Sequence, residues 1–140
     1  MFANSHFALA THVLTALAVH GDDRVTSIEL ARSVNTNAAF LRSLFGRLRE
    51  AGLIEVSLGK GGGARLGRPA SRITLADVYR AVEKDSPAQL HHCSPNEKCP
   101  VGRNILPLLD DVVRDVESAA LARLRRRTIA DLAAQVVRRG

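Results

Sequence analysis

Two histidines and two cysteines stand together in the stretch from His91 to Cys99. Thiolates and imidazoles bind transition metals, and exposed thiolates are also oxidised. Five residues separate Cys93 from Cys99, whereas structural zinc sites favour two to four between paired ligands. His91 and His92 could complete a mixed site, but adjacent histidines are more often solvated. We therefore expect no bound metal or cofactor.

The same two cysteines are candidates for a redox switch. Cys99 lies next to the start of a predicted long helix, where backbone dipoles can stabilise a thiolate. Oxidation by a peroxide or an electrophile could then produce a disulfide, either within the loop or across a dimer. The alternative is that Cys93 and Cys99 are merely tolerated.

Basic residues surround a glycine-rich turn, Gly59–Gly63. The turn is flanked by β-prone runs at Leu53–Leu58 and Ala64–Leu66, and glycine permits the positive φ angles that a tight hairpin needs. We call this predicted hairpin the wing. Phosphate contacts are expected from the wing and the preceding helix, through Lys60, Arg65, Arg68, Arg72 and Arg47. The alternative is that such residues only solubilise a surface turn.

Two short helices precede the wing. Thr26 with Glu29 forms a capping-box pattern that starts the first of them, and the second spans about residues 38 to 51. Its apolar residues share one face, while short polar side chains and arginines occupy the other. A helix–turn–helix followed by a basic hairpin is typical of a winged-helix reader of DNA. The remaining candidate DNA-binding residues are Thr26, Ser27, Asn37, Ala39, Phe40, Arg42 and Ser43.

A long amphipathic helix of about 24 residues is predicted to start near Val101. Its apolar stripe needs a partner, and a second copy of the chain is the simplest source. The alternative is that it folds back onto the first helix. The expected dimer contacts are Ile105, Leu109, Val112, Val116 and Leu124. The predicted organisation is therefore a winged helix–turn–helix DNA-binding domain at 1–85, a sensor loop with two cysteines at 86–100, and a dimerisation helix followed by a C-terminal helix at 101–140.

The composition restricts the class of function. The chain has 140 residues and a formal net charge of +6, which favours an anionic partner such as nucleic acid. A signal peptide and a membrane-spanning run are not expected, so we predict a cytoplasmic protein. No Ser/His/Asp set, paired carboxylates or P-loop pattern is found, and an enzyme is disfavoured. The predicted fold class is mainly α with a small β-hairpin wing.

Three segments resemble the Rrf2 family of bacterial winged-helix transcription regulators, which includes IscR, NsrR and CymR. They are SVNTNAAFLRSLFGRLREAGLIEV, GKGGGARLGRPASRITLADVYRAVE and CSPNEKCPVGRNI. The similarity spans nearly the whole chain and is greatest to YwnA-like members. It implies a homodimer with an N-terminal winged helix–turn–helix and a long dimerising helix.

The sequence departs from this family at the loop and at the wing. Iron–sulfur members usually have three cysteines in the loop; here the third position is Ile105, and Ala8 stands where some members have an acidic ligand. An iron–sulfur cluster is therefore disfavoured. Leu58 and Ala64 replace an arginine and an aromatic residue that often flank the wing glycines.

The sequence thus predicts a homodimeric DNA-binding transcription regulator, a repressor on a palindromic operator, with a thiol switch. Three alternatives remain open. The protein could respond to a small molecule, it could respond to an iron–sulfur or nitrosative signal, or it could bind DNA constitutively.

Overall fold

A computed structural model of the chain describes residues 1–2, 4–84 and 88–140. The predicted domain boundary at residues 85/86 lies outside the described residues. Within the described ranges the chain forms six α-helices, one short 3-10 helix at Ala70–Arg72 and one antiparallel hairpin. In chain order these elements are α1 (His6–His20), α2 (Ser27–Val34), α3 (Ala38–Glu50), β1 (Ile54–Ser57), β2 (Gly63–Leu66), α4 (Leu75–Val82), α5 (Pro100–Leu124) and α6 (Ile129–Arg139).

Side-chain caps start four of the helices. At α2 the hydroxyl of Thr26 accepts the backbone N–H of Glu29 at 3.2 Å, and the Glu29 carboxylate accepts the N–H of Thr26 at 2.8 Å. Thr74 and Thr128 form the same reciprocal box, with Asp77 and Asp131 respectively. Each box satisfies N–H groups that have no partner within the helix. The capping-box prediction for Thr26 is confirmed.

The wing comprises β1, β2 and the turn between them, with Glu55 opposite Arg65 in the register. Gly59 and Gly61 in the turn have positive φ. At Gly63 a Cβ would lie 2.6 Å from the carbonyl oxygen of Val25, so only glycine fits there without a shift of the backbone. Val25 pairs with Ala64 through two backbone hydrogen bonds of 2.8 and 2.9 Å. The wing is therefore fixed to the segment that leads into α2.

One hydrophobic core joins α1, α2, α3, α4 and the wing. The last helix joins it too, since Ile129 is fully buried and α6 packs along α1. The N–H of Ile129 donates to the carbonyl of Ile73, and the N–H of Leu75 to that of Arg127, both at 2.9 Å. We call α1–α4, the wing and α6 the head. The C-terminal helix predicted within 101–140 thus packs on the head.

Candidate nucleic-acid interface and thiol loop

Helix α3 has one buried and one exposed face. Leu41, Leu44, Phe45 and Leu48 are buried in the core of the head. Ala39, Arg42 and Ser43 are exposed on the opposite face. The Nε of Arg42 makes only a long contact of 3.4 Å to the carbonyl of Ala38, so its guanidinium is available to a ligand. The exposed face of α3 is therefore open to a ligand, while the buried face holds the helix in the head.

The two helix starts near this face use their polar side chains differently. The side-chain oxygen of Asn37 accepts the N–H of Phe40 at 2.8 Å, so Asn37 caps α3 and keeps its amide NH₂ group free. The hydroxyl of Thr26 is engaged in the capping box, while Ser27 is exposed. Backbone and hydroxyl hydrogen bonds from Thr26 lower the pKa of Glu29, which keeps its charge at the surface.

Phe40 and Arg47 make contacts inside the protein. The ring of Phe40 stacks on His6, with centroids 5.3 Å apart. An Nη of Arg47 donates to the carbonyl of Val82 at 2.8 Å and lies 3.4 Å from Nδ1 of His6. These side chains join α3 to α1 and α4. Both were predicted to contact DNA; the structure shows that each also has a partner within the chain.

Two of the four basic residues in the wing region form an ion pair with a carboxylate, and the other two do not. Arg65 forms an ion pair with Glu55 at 2.9 Å, and Arg68 forms one with Asp77 at 3.0 Å. Lys60 and Arg72 are exposed, and neither has an acidic partner among the described residues. Positive charge without a carboxylate beside it is therefore concentrated at Lys60, on the tip of the wing, and at Arg72, in the 3-10 helix.

Both cysteines of the loop are exposed free thiols. Cys99 is the N-cap residue of α5, and the nearby backbone N–H groups of Gly102 and Val101, in the first turn of that helix, lower the pKa of its thiol. A turn holds it there, since the N–H of Cys99 donates to the carbonyl of Asn96 at 3.1 Å. A Cβ at Gly102 would overlap that same carbonyl oxygen. Glycine thus allows the loop to lie against the first turn of α5.

The donor set of the loop does not match an iron–sulfur cluster. Such a cluster takes four protein ligands in its common forms, and Cys93 and Cys99 supply two thiolates. Within residues 1–2, 4–84 and 88–140, no three Cys, His, Asp or Glu side chains converge in a metal-binding arrangement. Ala8 and Ile105 have no donor atom to offer. Cys93 and Cys99 alone therefore fall two ligands short of such a set, and no step below depends on this group.

Helix α5 exposes an apolar stripe. Val112 and Val116 are 59% and 58% exposed, and Ile105 and Leu109 are half-buried. Leu124 differs from them, because it packs against the core of the head. The structure adds two exposed residues that the prediction omitted, Val101 and Leu108, at 66% and 60%. Their helical spacing from Val112 was the signal in the sequence that could have found them.

No helix within the described ranges combines the length and the apolar character needed to cross a membrane.

Comparison with known proteins places these features in context. The sequence pattern of Rrf2, described as an iron-dependent transcriptional regulator, matches residues 3–135. YwnA of Bacillus subtilis, described as an HTH-type transcriptional regulator, is 34% identical over 129 residues, which cover 92% of this chain and 95% of YwnA. IscR of Cereibacter sphaeroides, an HTH-type transcriptional regulator, is 37% identical over 79 residues, which cover 56% of this chain and 51% of IscR.

Solved structures agree with these matches. A protein from Lactobacillus plantarum described as a transcriptional regulator superposes with a TM-score of 0.78 at 27% identity, covering 94% of this chain and 89% of its own. CymR of B. subtilis, the global cysteine regulator, superposes with a TM-score of 0.66 at 25% identity, covering 96% and 98%. The predicted winged-helix fold is confirmed.

Proposed function

Because this chain belongs to the Rrf2 family and is a DNA-binding transcription regulator, we propose that it acts in the cytoplasm as a homodimeric repressor of a palindromic operator. The observation that carries the proposal is the exposed face of α3, with Arg42 and Ser43 free of partners in the core. Its activity is binding and not catalysis. Turnover of generic ester, phosphate or disulfide substrates by the pure protein would contradict that part.

Base reading is assigned to the exposed residues at the start of α3. Arg42 has the forked guanidinium that pairs with guanine in the major groove, and the amide of Asn37 suits adenine. Ala39 and Ser43 lie on the same exposed face and leave room for a close approach. Phe40 and Arg47 are left out of this set. The ring of Phe40 stacks on His6, and the guanidinium of Arg47 donates to the carbonyl of Val82.

Phosphate binding is assigned first to Lys60 and Arg72, which have no ion-pair partner in the described part of the chain. Arg65 and Arg68 are each held by a carboxylate and would have to exchange it for a phosphate. Ser27, at the first turn of α2, is placed where helix N–H groups favour a phosphate. These contacts contribute salt-dependent affinity for any sequence.

The dimer is assigned to the exposed stripe of α5. Four large aliphatic side chains more than half exposed on one helix form an apolar surface that association would remove from water. A two-fold dimer presents two α3 helices to half-sites about one helical turn, ~34 Å, apart. The palindrome follows from that symmetry.

The thiol loop is assigned the regulatory role. Hydrogen peroxide oxidises the Cys99 thiolate to a sulfenic acid and releases hydroxide. The Cys93 thiol of the same or the partner chain then attacks the sulfenic sulfur, which forms the disulfide and releases water. Because Cys99 begins α5, the new bond constrains the helix that joins the two heads.

The division between base reading and phosphate binding is tested by two substitutions. Arg42→Ala should relax preference at one base of each half-site. Lys60→Ala should weaken binding to all sequences and reduce the slope of log affinity against log salt by about one for each lysine contact that is lost. Arg103→Ala, at an exposed residue of α5 outside the head, is the matched control for the loss of one cation. A changed sequence preference with an unchanged salt slope in Lys60→Ala would contradict the assignment.

The switch is tested by operator affinity with and without hydrogen peroxide, for the wild type, Cys93→Ser and Cys99→Ser. We expect peroxide to change the affinity of the wild type only. A non-reducing gel then separates a disulfide within one chain from one that links two. Equal affinity in every condition would leave the cysteines without a sensing role.

A further inference from the structure

Arg47 is a cation of α3 that the proposed base and phosphate contacts do not use. Its side chain is half-buried, at the border between the buried face and the exposed face of the helix. No carboxylate within the described ranges forms an ion pair with it. Because a partly buried charge is costly without polar partners, the groups that satisfy this guanidinium indicate what it does.

The hydrogen-bond partner of Arg47 is the end of α4. One Nη nitrogen donates to the carbonyl oxygen of Val82 at 2.8 Å, and Val82 is the last residue of that helix. The last carbonyls of an α-helix have no partner within the helix and lie at the negative end of its dipole. A guanidinium donor at this end makes a charge-assisted hydrogen bond, which is stronger than a bond between neutral groups. Since the side chain of Val82 is buried in the core, the contact ties α3 to a fixed point of the head.

The same nitrogen of Arg47 also approaches the start of α1. It lies 3.4 Å from Nδ1 of His6, and the ring of His6 stacks on Phe40. Phe40 and Arg47 are about two turns apart in α3, so they lie on one side of the helix. His6 therefore contacts α3 at two levels along its length, and three helices meet at Arg47.

These polar contacts restrain rotation of α3 about its own axis. Apolar packing on the buried face depends little on direction, whereas a hydrogen bond needs a short distance and a near-linear angle. A rotation of about 10° moves a group that lies about 6 Å from the helix axis by roughly 1 Å. Arg42, the proposed base reader, projects from the same helix, and a displacement of that size misaligns a hydrogen bond to a base edge.

We propose that Arg47 is a positioning residue for base reading. Its bond to the end of α4 sets the rotation of α3, and thereby the place of Arg42 in the major groove. This role rests on the proposed function, because it requires α3 to read bases. Two other roles compete with it: a direct contact of Arg47 with a DNA phosphate, and a contribution to the stability of the head alone.

The three roles are separated by DNA affinity measured with fluorescence anisotropy on two duplexes of equal length. One is the duplex that the wild type selects from a random-sequence library, and the other is its scrambled version. Arg47→Met keeps the length of the side chain and removes its charge and its donors. We expect affinity for the selected duplex to fall about tenfold, because a misaligned Arg42 loses part of the discrimination of one bidentate base contact. Affinity for the scrambled duplex and the salt slope should not change.

The other two roles predict different results for Arg47→Met. If both duplexes bind equally more weakly and the salt slope falls by about one, Arg47 contacts a phosphate and the positioning role is overturned. If neither affinity changes and only the urea midpoint falls, Arg47 acts on stability alone and the positioning role is again overturned. Arg103→Met, at an exposed residue of α5, is the control for the loss of one cation and should leave the preference unchanged.

A double-mutant cycle tests whether Arg47 acts through Arg42. In an Arg42→Ala background, Arg47→Met should lower affinity for the selected duplex by less than about threefold, because the misaligned group is already absent. A full tenfold loss in that background would overturn the proposal. Arg47→Lys should retain most of the preference, since the Val82 carbonyl takes a single Nη donor that an ammonium can replace. Loss of the preference in Arg47→Lys, as complete as in Arg47→Met, would contradict the role of this bond.

The bond itself is measured without DNA. The NMR signal of the Val82 carbonyl carbon should shift in Arg47→Met and stay in place in Arg103→Met, and an unchanged signal in both would overturn the proposal. The DNA measurements then separate this inference from the proposed function. If no duplex is preferred over its scrambled version, base reading by α3 fails and the positioning role fails with it. If the wild type has a preference that Arg47→Met keeps, only the positioning role fails.

Discussion

Helices α3 and α5 both have an apolar stripe, but only α3 buries it within the chain. Four residues of α3 are buried in the head, whereas none of the 25 residues of α5 is buried. The two stripes are alike in sequence and differ in what covers them. The stripe of α3 contributes to folding of one chain, whereas the stripe of α5 is exposed, and the proposed dimer would cover it. Stability and assembly should therefore respond to different substitutions.

The largest expected effect is on assembly. Val112→Asp with Val116→Asp would bury four carboxylates in the proposed dimer contact. The cost of several kcal/mol should raise the dissociation constant by more than about a thousandfold. Arg114→Asp with Ser118→Asp is the control, because each position lies two residues further along, on the other side of the helix. If the double variant sediments as a folded dimer, the stripe of α5 does not mediate association, and the proposed difference between α3 and α5 is wrong.

An intermediate effect is expected on folding. Leu41→Ala empties a site that is fully buried in α3 and should lower the free energy of unfolding by about 2–5 kcal/mol. Leu108→Ala, on the exposed stripe of α5, should cost less than about 1 kcal/mol in dilute protein. Urea unfolding at two protein concentrations tests this, since only the dimer contribution depends on concentration. A loss from Leu108→Ala as large as that from Leu41→Ala in the monomer would mean that α5 is part of the core.

The smallest effect concerns the reactivity of the loop that begins α5. Backbone N–H groups lower the pKa of Cys99, so iodoacetamide should modify it faster than Cys93 at neutral pH. A lowered pKa increases the thiolate fraction mainly at pH values below the usual pKa of a thiol. The difference in labelling rate between Cys99 and Cys93 should therefore shrink as the pH rises. Gly102→Ala should reduce it by displacing the turn at Asn96. Mass spectrometry of the two peptides measures both rates, and faster labelling of Cys93 would contradict this assignment.

Much of the fold follows from local signals. The Thr26 and Thr74 boxes fix where α2 and α4 start, and Gly52, with its positive φ, follows the end of α3. The helix spacing of leucines in α3 identifies its buried face without any tertiary information. These features depend on residues within one or two turns of each other, which the sequence displays directly.

The site was predicted less completely, because side-chain partners are distant in sequence. Arg47 lies on the polar side of α3, but the carbonyl that it binds belongs to Val82, 35 positions away. Its other neighbour, His6, is 41 positions away in the opposite direction. Arg68 resembles a free cation until α4 brings Asp77 beside it. A pattern of residue types shows which face of a helix is polar. It does not show which cations on that face already have a partner elsewhere in the chain.

The hydroxyl of Tyr79 in α4 donates to the carboxylate of Glu117 in α5 at 3.5 Å, with the ring among Phe2 and Phe7. Burial and the charge of Glu117 raise the pKa of Tyr79, so the phenol keeps its proton and its role as donor. From Glu117 back to Pro100 the helix extends about 25 Å at 1.5 Å per residue. The contact with Tyr79 therefore holds one point of α5 against the head. A tilt of about 5° about that point would displace the far end of the helix, next to Cys99, by roughly 2 Å over that length.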